Sequence, residues 1–307
     1  MRTLAVLMIV IVLGGSVLAQ DAPAANMTEV NRANELAYIK LVRNEQMPEL
    51  VYLLFAPEPL AFNPFNTAGV TSNRDQSVAD EIYFQSAYTY KFTESLVLAE
   101  GDLTGVYVYQ VGEMVGEYFG TPPTGEQSGG MMLYVDRYDD GLIAETYTAW
   151  DQAGFLEGLG WASVDYPDFD LSPWGLTLSS TSSTPADHHA VLDALYANFC
   201  EGCTPDFAAT YASDVVVHDY MQVLEGVDAV AAEMGKVTGL TGLKVGKQLA
   251  VCEGDMCISY LILNFTQGEE AKDLIWASAH RFEDGKIAEE WWQYDNSVLW
   301  PAIGLVQ

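Results

Sequence analysis

The sequence predicts an α+β protein made of two tandem copies of one domain, and three observations carry that prediction. Tyr134–Glu145 returns 144 positions later as Ser278–Glu289, and the aromatic tract after each copy ends in Trp150-Asp151 or Tyr294-Asp295. Glu100-Gly101-Asp102 recurs as Glu253-Gly254-Asp255 at an offset of 153. In each copy, helical segments come first and a curved antiparallel sheet follows, which is the α+β order. A period this long exceeds a solenoid unit and marks whole domains. The two offsets differ by nine, so copy one carries about nine extra residues between its motifs; Gly120–Gly125 has no counterpart in copy two. A loop insertion explains the difference, because loops tolerate changes in length.

Residues 1–19 have the pattern of a secretory signal peptide. Arg2 precedes the apolar run Leu4–Leu13, and Val17-Leu18-Ala19 ends at a cut before Gln20. The run is short for a membrane span, and a retained N-terminal anchor is the other reading. No later run is long enough to cross a bilayer. The expectation is an exported chain, periplasmic or extracellular.

Copy one is placed at residues 30–161, with Thr28 as a helix cap and Leu36, Ile39, Leu41 and Val42 as a rough apolar stripe. Pro48–Leu54 reads as a second short helix. Strands are expected at 85–92, 94–100, 105–111 and 130–138, and Asp140-Gly141 marks a hairpin turn. Residues 162–185, with Pro167, Pro173 and the run Ser179–Thr184, read as a linker. Copy two is placed at 186–303. Thr184-Pro185-Ala186-Asp187 is a helix start with a capping box, and Val191, Leu192, Leu195, Tyr196 and Phe199 follow at helical spacing. Further helices are expected at 205–211 and 227–235. Strands are expected at 215–219, 243–252, 257–266, 273–282 and 287–295.

The net charge is −30, from 13 basic and 43 acidic residues. Nucleic acid and anionic membranes need clustered Lys and Arg, so neither is an expected partner. The excess acid reads as solvated surface. Hydrophobic residues make up 50% of the chain, enough for a real core in each half.

All four cysteines lie in copy two. Cys252 and Cys257 flank a Gly254-Asp255 hairpin turn and face each other in the close, non-hydrogen-bonded pair, a spacing that suits a disulfide. Cys200 and Cys203 form a CxxC. A disulfide is the default for it in an exported chain; a redox or zinc role is the alternative, but neither a redox-fold setting nor a His pair accompanies it. Nothing in the chain resembles a phosphate loop, a serine elbow or a metal-ligand cluster.

Together, Glu100-Gly101-Asp102, Phe119–Gly125, Arg137–Glu145 and Trp150–Leu156 in copy one, with Val217-His218-Asp219, Glu253-Gly254-Asp255, Arg281–Glu289 and Tyr294-Asp295 in copy two, resemble the SnoaL-like polyketide cyclase and ester cyclase family, of the nuclear-transport-factor-2-like superfamily. The resemblance implies two cone-shaped domains, each a curved antiparallel sheet wrapped around N-terminal helices and enclosing an apolar pocket. It implies a small apolar or carbonyl-bearing ligand, acid–base chemistry with no metal or organic cofactor, and sheet packing, internal or between copies. The fold also hosts isomerases, hydrolases and plain binding proteins, so an enzyme, a binding protein and a pairing module all remain open.

Strand alternation sorts the last strand of copy two. Ala288, Glu290, Trp292 and Tyr294 share one face; Ile287, Glu289, Trp291 and Gln293 share the other. The resemblance implies that the Glu290 face is the pocket side, where desolvation would raise its pKa toward that of a general base. His218 matches a family histidine; it either polarises a carbonyl or pairs with Glu290, or is a structural histidine, and Asn63 stands at about its place in copy one. Asp219, Tyr260, Trp292 and Tyr294 are the candidate ligand-binding residues of copy two, Thr146 and Trp150 those of copy one. The last strand of copy one offers no carboxylate. Simple hairpin counting pairs His280 with Glu289, and a register slip of one residue would reverse that. His188 and His189 are expected at the surface, Asp151 and Asp295 as helix caps, and Trp150, Trp161, Trp276, Trp291, Trp292 and Trp300 more as core than as a ligand cage.

Overall fold

A computed structural model describes residues 24–125, 127–159 and 172–306. The signal-like segment, Trp161 and the first part of the expected linker lie outside the described residues. The first domain runs α1 (Ala24–Ala37, continued by a wide turn at Tyr38–Asn44), α2 (Val51–Leu54), β1 (Phe55–Asn63), β2 (Asn66–Thr71), α3 (Arg74–Ala87), β3 (Lys91–Glu100), β4 (Leu103–Glu113), β5 (Gln127–Asp139), β6 (Leu142–Trp150) and α4 (Gln152–Gly158). The second runs α5 (Pro185–Tyr196), α6 (Phe207–Thr210), β7 (Tyr211–His218), β8 (Val223–Glu225), α7 (Val227–Thr238), β9 (Lys244–Glu253), β10 (Met256–Gln267), β11 (Glu270–Glu283), β12 (Lys286–Tyr294) and α8 (Asn296–Ala302).

The two sheets have one topology. Their orders are β2-β1-β6-β5-β4-β3 and β8-β7-β12-β11-β10-β9. Each sheet is mixed rather than wholly antiparallel, because β1 runs parallel to β6 and β7 parallel to β12. The extra residues of copy one lie in the β4–β5 connection, residues 114–126, whereas Gly268 and Glu269 alone join β10 to β11.

Local sequence sets most of these elements. Thr184 and Asp187 complete the capping box of α5 with Pro185 in its first turn, an arrangement that contributes about 1 kcal/mol. Leu192, Leu195 and Tyr196 then turn inward. In copy one, Thr28 lies inside α1 rather than capping it, and Leu36 is exposed; the buried stripe is Glu35, Ile39 and Val42. Residues 85–87 end helix α3, which Asn73 caps through its side chain, so the strand expected at 85–92 begins only at Lys91. The β1–β2 hairpin and α3 carry weak patterns: β1 contains two prolines, and α3 buries only Val78, Glu81 and Ala87.

The final hairpins turn at Asp140-Gly141 and Asp284-Gly285, all four with positive φ (49°, 77°, 49° and 75°), as a type I′ turn requires. Beyond each turn the register slips by one residue. Arg137 pairs with Glu145 and Tyr138 with Ile143; Arg281 pairs with Glu289 and Phe282 with Ile287. Ala144 and Ala288 are therefore bulge residues. The bulge reverses the facing expected from simple counting: His280 sits opposite Glu290, and Ile287 joins the inner core.

The repeated motifs clasp the structure together. Arg137 holds Asp102 at 2.8 Å and Glu145 at 3.2 Å; Arg281 holds Asp255 at 2.7 Å and Glu289 at 3.3 Å. The glutamates of the two Glu-Gly-Asp turns reach across to the opposite domain. Glu100 accepts from the Cys252 N–H (2.9 Å) and meets His189 Nε2 at 2.8 Å; Glu253 accepts from the Ala99 N–H (3.2 Å) and from Arg32 (2.8 Å). This reciprocity is pseudo-two-fold.

Between these clasps the sheets pack by their outer faces. Leu98, Tyr107, Leu133, Val135 and Tyr147 meet Val251, Ile258, Tyr260, Ala277, Ala279 and Trp291 in one buried cluster. Each fully buried aliphatic side chain there contributes roughly 1.5–3 kcal/mol. Residues 172–184 run along this seam: Trp174 stacks on Tyr107 at 5.4 Å, and Ser179 and Asp255 bond to each other twice. Gly254 permits that approach, since a Cβ on it would stand 2.4 Å from Ser179 O. Cys252 is bonded to Cys257 across the β9–β10 turn, and Cys200 to Cys203.

Candidate functional site

The helix-facing side of the second sheet surrounds a cavity of about 230 Å³. Alternation on β12 brings Trp292 and Tyr294 to its wall; β11 supplies Trp276, α8 supplies Trp300, and Asp219 enters from the turn after β7. Trp276 stacks on Tyr294 (4.8 Å, 22°) and meets Trp292 edge-on (5.2 Å, 63°). Tyr294 donates its hydroxyl to Asp219 at 2.7 Å, and the Trp300 N–H donates to the Tyr294 oxygen at 3.3 Å. Burial raises the Asp219 pKa to about 6, with the Tyr294 hydrogen bond pulling against it. The remaining charged groups on the wall, Glu233 and Lys236, bond to each other through both carboxylate oxygens at 2.8 Å.

Glu290 points to the same inner side but does not line the cavity. It is 2% exposed, accepts a 2.7 Å bond from Tyr211, and lies 3.3 Å from His280 Nδ1. His280 Nε2 meets Tyr196 at 3.1 Å and Ser259 at 2.9 Å. Burial raises the Glu290 pKa to about 7, opposed by Tyr211, Trp292 and Ser278, and burial lowers that of His280 to about 3. The pair therefore favours its neutral forms.

His218 is on the opposite face. Its ring lies flat on Trp291 (5.3 Å, 6°) and Nε2 meets Glu289 at 2.9 Å. It neither pairs with Glu290 nor reaches the cavity; it borders an outer groove of about 600 Å³ with Trp174 and Trp291. Its counterpart in copy one is Phe62, which stacks on Tyr147 (4.5 Å, 9°), rather than Asn63. Tyr260 is likewise an interface residue, buried against Tyr147. His188 is fully buried on Phe282 at 4.1 Å, not solvent-facing. Asp151 caps α4 through the Gly154 N–H and also accepts from Asn296 across the domain boundary, whereas the Asp295 side chain takes the Ser297 hydroxyl.

Copy one is richer in acid than its last strand suggests. Thr146 faces inward beside Asp136, and Glu35 from α1 enters the same core. Glu35 accepts from Tyr134 (2.9 Å), Tyr138 (2.7 Å) and Thr104 (3.3 Å). Burial, and then Glu35, push the Asp136 carboxyl well above its usual range. The repeat aligns Asp136 with His280, and helical spacing puts Glu35 on one face with Ile39 and Val42; those are the signals that mark this pair. Trp150 lines a separate cavity of about 190 Å³ with Tyr88, Tyr90, Met131 and Asp151; neither Glu35 nor Asp136 is on its wall. Among the described residues, Glu100, His189 and Cys252 bring donor atoms within 4.8 Å of one another, but Cys252 is in a disulfide and Glu100 is engaged in the domain clasp.

Residues 192–290 match the family model of the SnoaL-like domain, which covers less than half of the chain. The shared strand order shows the same fold in the first half, so the chain carries two tandem domains of one fold. No curated protein matches the sequence. Among solved structures, a candidate SnoaL-like polyketide cyclase from Jannaschia sp. CCS1 is 16% identical, with 44% of this chain and 95% of that chain covered and a TM-score of 0.40. TsrD from Streptomyces laurentii is 20% identical, with 44% and 97% covered and a TM-score of 0.37. IdmH from Streptomyces antibioticus, a candidate polyketide cyclase, is 23% identical, with 42% and 98% covered and a TM-score of 0.37.

Proposed function

We propose that the second domain holds a small, largely apolar molecule in the Asp219 cavity. The observation that carries this reading is one acid of raised pKa set among four aromatic rings, the composition expected of a small-molecule site. In its catalytic form, Asp219 is the base for cofactor-free isomerisation, cyclisation or hydrolysis of a carbonyl-bearing ligand. It would take a proton from the carbon next to the carbonyl, leaving the electron pair as an enolate, and return it elsewhere. Glu290, the base expected from the family resemblance, is assigned to the buried pair with His280 behind the wall. Export to the periplasm or cell exterior is part of the same proposal, supported by the signal-like leader and two disulfides.

Binding without turnover is the second reading, and one observation favours it. Most side-chain donors around the cavity are committed: Tyr294 to Asp219, Trp300 to Tyr294, Trp276 to Ser278, and Lys236 and Gln222 to Glu233, while the Trp292 N–H is buried without a partner among the described residues. An enolate oxygen would find little stabilisation among them. The two readings separate experimentally by testing small cyclic and aromatic ketones for both tryptophan quenching and turnover. Asp219→Asn should abolish turnover by roughly 100-fold or more while Glu290→Gln stays within a few-fold. The opposite ranking would return the base to Glu290, and quenching without turnover would establish the binding reading.

A further inference from the structure

We infer that the molecule held in the second-domain cavity carries an alkylated ammonium group. The inference rests on the cavity being the ligand site, as proposed above, and adds the charge of the ligand. Four aromatic rings, Trp276, Trp292, Tyr294 and Trp300, line one small space. Aromatic faces carry negative quadrupole density and attract cations, most strongly where water is excluded.

The charges on the wall agree. Glu233 and Lys236 cancel each other, and Asp219 leaves one net negative charge. Other ionisable groups around Asp219 are the hydroxyls of Tyr294, on β12, and Tyr220, beside it in the turn; neither adds positive charge. His218, next to Asp219 in sequence, is turned to the outer face on Glu289.

The donor inventory points the same way. Tyr294, Trp300, Trp276, Gln222 and Lys236 all donate to protein acceptors, and the Trp292 indole N–H is buried with no hydrogen-bond partner among the described residues. A carboxylate or phosphate head group would have to break one of these bonds or turn the buried Trp292 N–H toward itself. An alkylated ammonium needs no donor; it needs aromatic surface and one counter-charge. The net charge of −30 also enriches cations near the protein.

The test compares choline with 3,3-dimethyl-1-butanol, which has the same shape and no charge, by tryptophan fluorescence and calorimetry at physiological salt. Choline should bind at least tenfold more tightly. Asp219→Asn, checked for folding by circular dichroism, should weaken choline at least tenfold and leave the neutral alcohol unchanged. Choline affinity should also fall about tenfold per unit below pH 6, as Asp219 takes up a proton. Equal or tighter binding of the neutral alcohol would overturn the cationic class while leaving the cavity as the ligand site. Binding of neither probe at millimolar concentration, or choline binding indifferent to both Asp219→Asn and Trp292→Ala, would also overturn it.

Discussion

Asp219 and Glu290 are both carboxyl groups raised by burial, and their surroundings separate their roles. Asp219 meets the cavity and is tuned by Tyr294. Removing that donor with Tyr294→Phe should raise the Asp219 pKa above about 6, because the hydrogen bond favours the ionised form; a side-chain carboxyl NMR titration would read the shift. Glu290 titrates near 7 when folded and near 4.5 when unfolded. The folded state therefore binds the extra proton, and stability is lost as pH rises through this window, by roughly 3 kcal/mol for 2.5 units. Glu290→Gln should lack this loss, so its stability relative to wild type should increase from pH 5 to pH 8 in urea melts; a constant difference would contradict the assignment. Alternation grouped Glu290 with Trp292 and Tyr294, and only the family resemblance pointed that face inward. Asp219 was expected among the ligand-binding residues, but its direction was not legible, because it sits in a turn, where no periodicity fixes it.

At the scale of elements, the misplaced partner of His280 traces to the β11–β12 bulge. Simple counting puts His280 opposite Glu289, and the bulge at Ala288 puts it opposite Glu290. A bulge formed at alanine leaves no glycine signature, so register was the least legible feature of the hairpin. Turn chemistry was more legible: Glu-Gly-Asp and Asp-Gly both form tight turns, and the capping box of α5 forms as written. In copy one, β1, β2 and α3 were missed because a proline-containing strand, a short exposed edge strand and a mostly exposed helix lack strong periodicity. The Cys252–Cys257 bridge closes a very short loop, so its constraint on the unfolded chain is modest. Replacing both cysteines by serine should cost about 2 kcal/mol in denaturant melts, and a loss above about 5 kcal/mol would require a further role in the fold.

For the whole molecule, the duplication explains more than any single residue. The two halves bury equivalent sheet faces against each other, clasped by Glu100 and Glu253 in reciprocal bonds. Such faces are self-complementary by pseudo-symmetry. A fragment spanning residues 172–306 should therefore self-associate as a dimer in light scattering, and a stable monomer would contradict this view of the interface. The repeat made the tandem architecture legible, and the two Glu-Gly-Asp motifs it contains act as domain clasps rather than as chemistry. The pocket was less legible, since its wall gathers β11, β12, α7, α8 and a turn from distant parts of the chain. The central claim is that this second-domain cavity, with Asp219 on its wall, is where a ligand sits. Crystals soaked with small cyclic ketones and alkylated ammonium compounds test it most directly. The account predicts ligand density among Trp276, Trp292, Tyr294 and Trp300 with a polar or charged group facing Asp219. Ligand bound in the outer groove beside His218, or beside Trp150 in the first domain, with the Asp219 cavity empty, would contradict it.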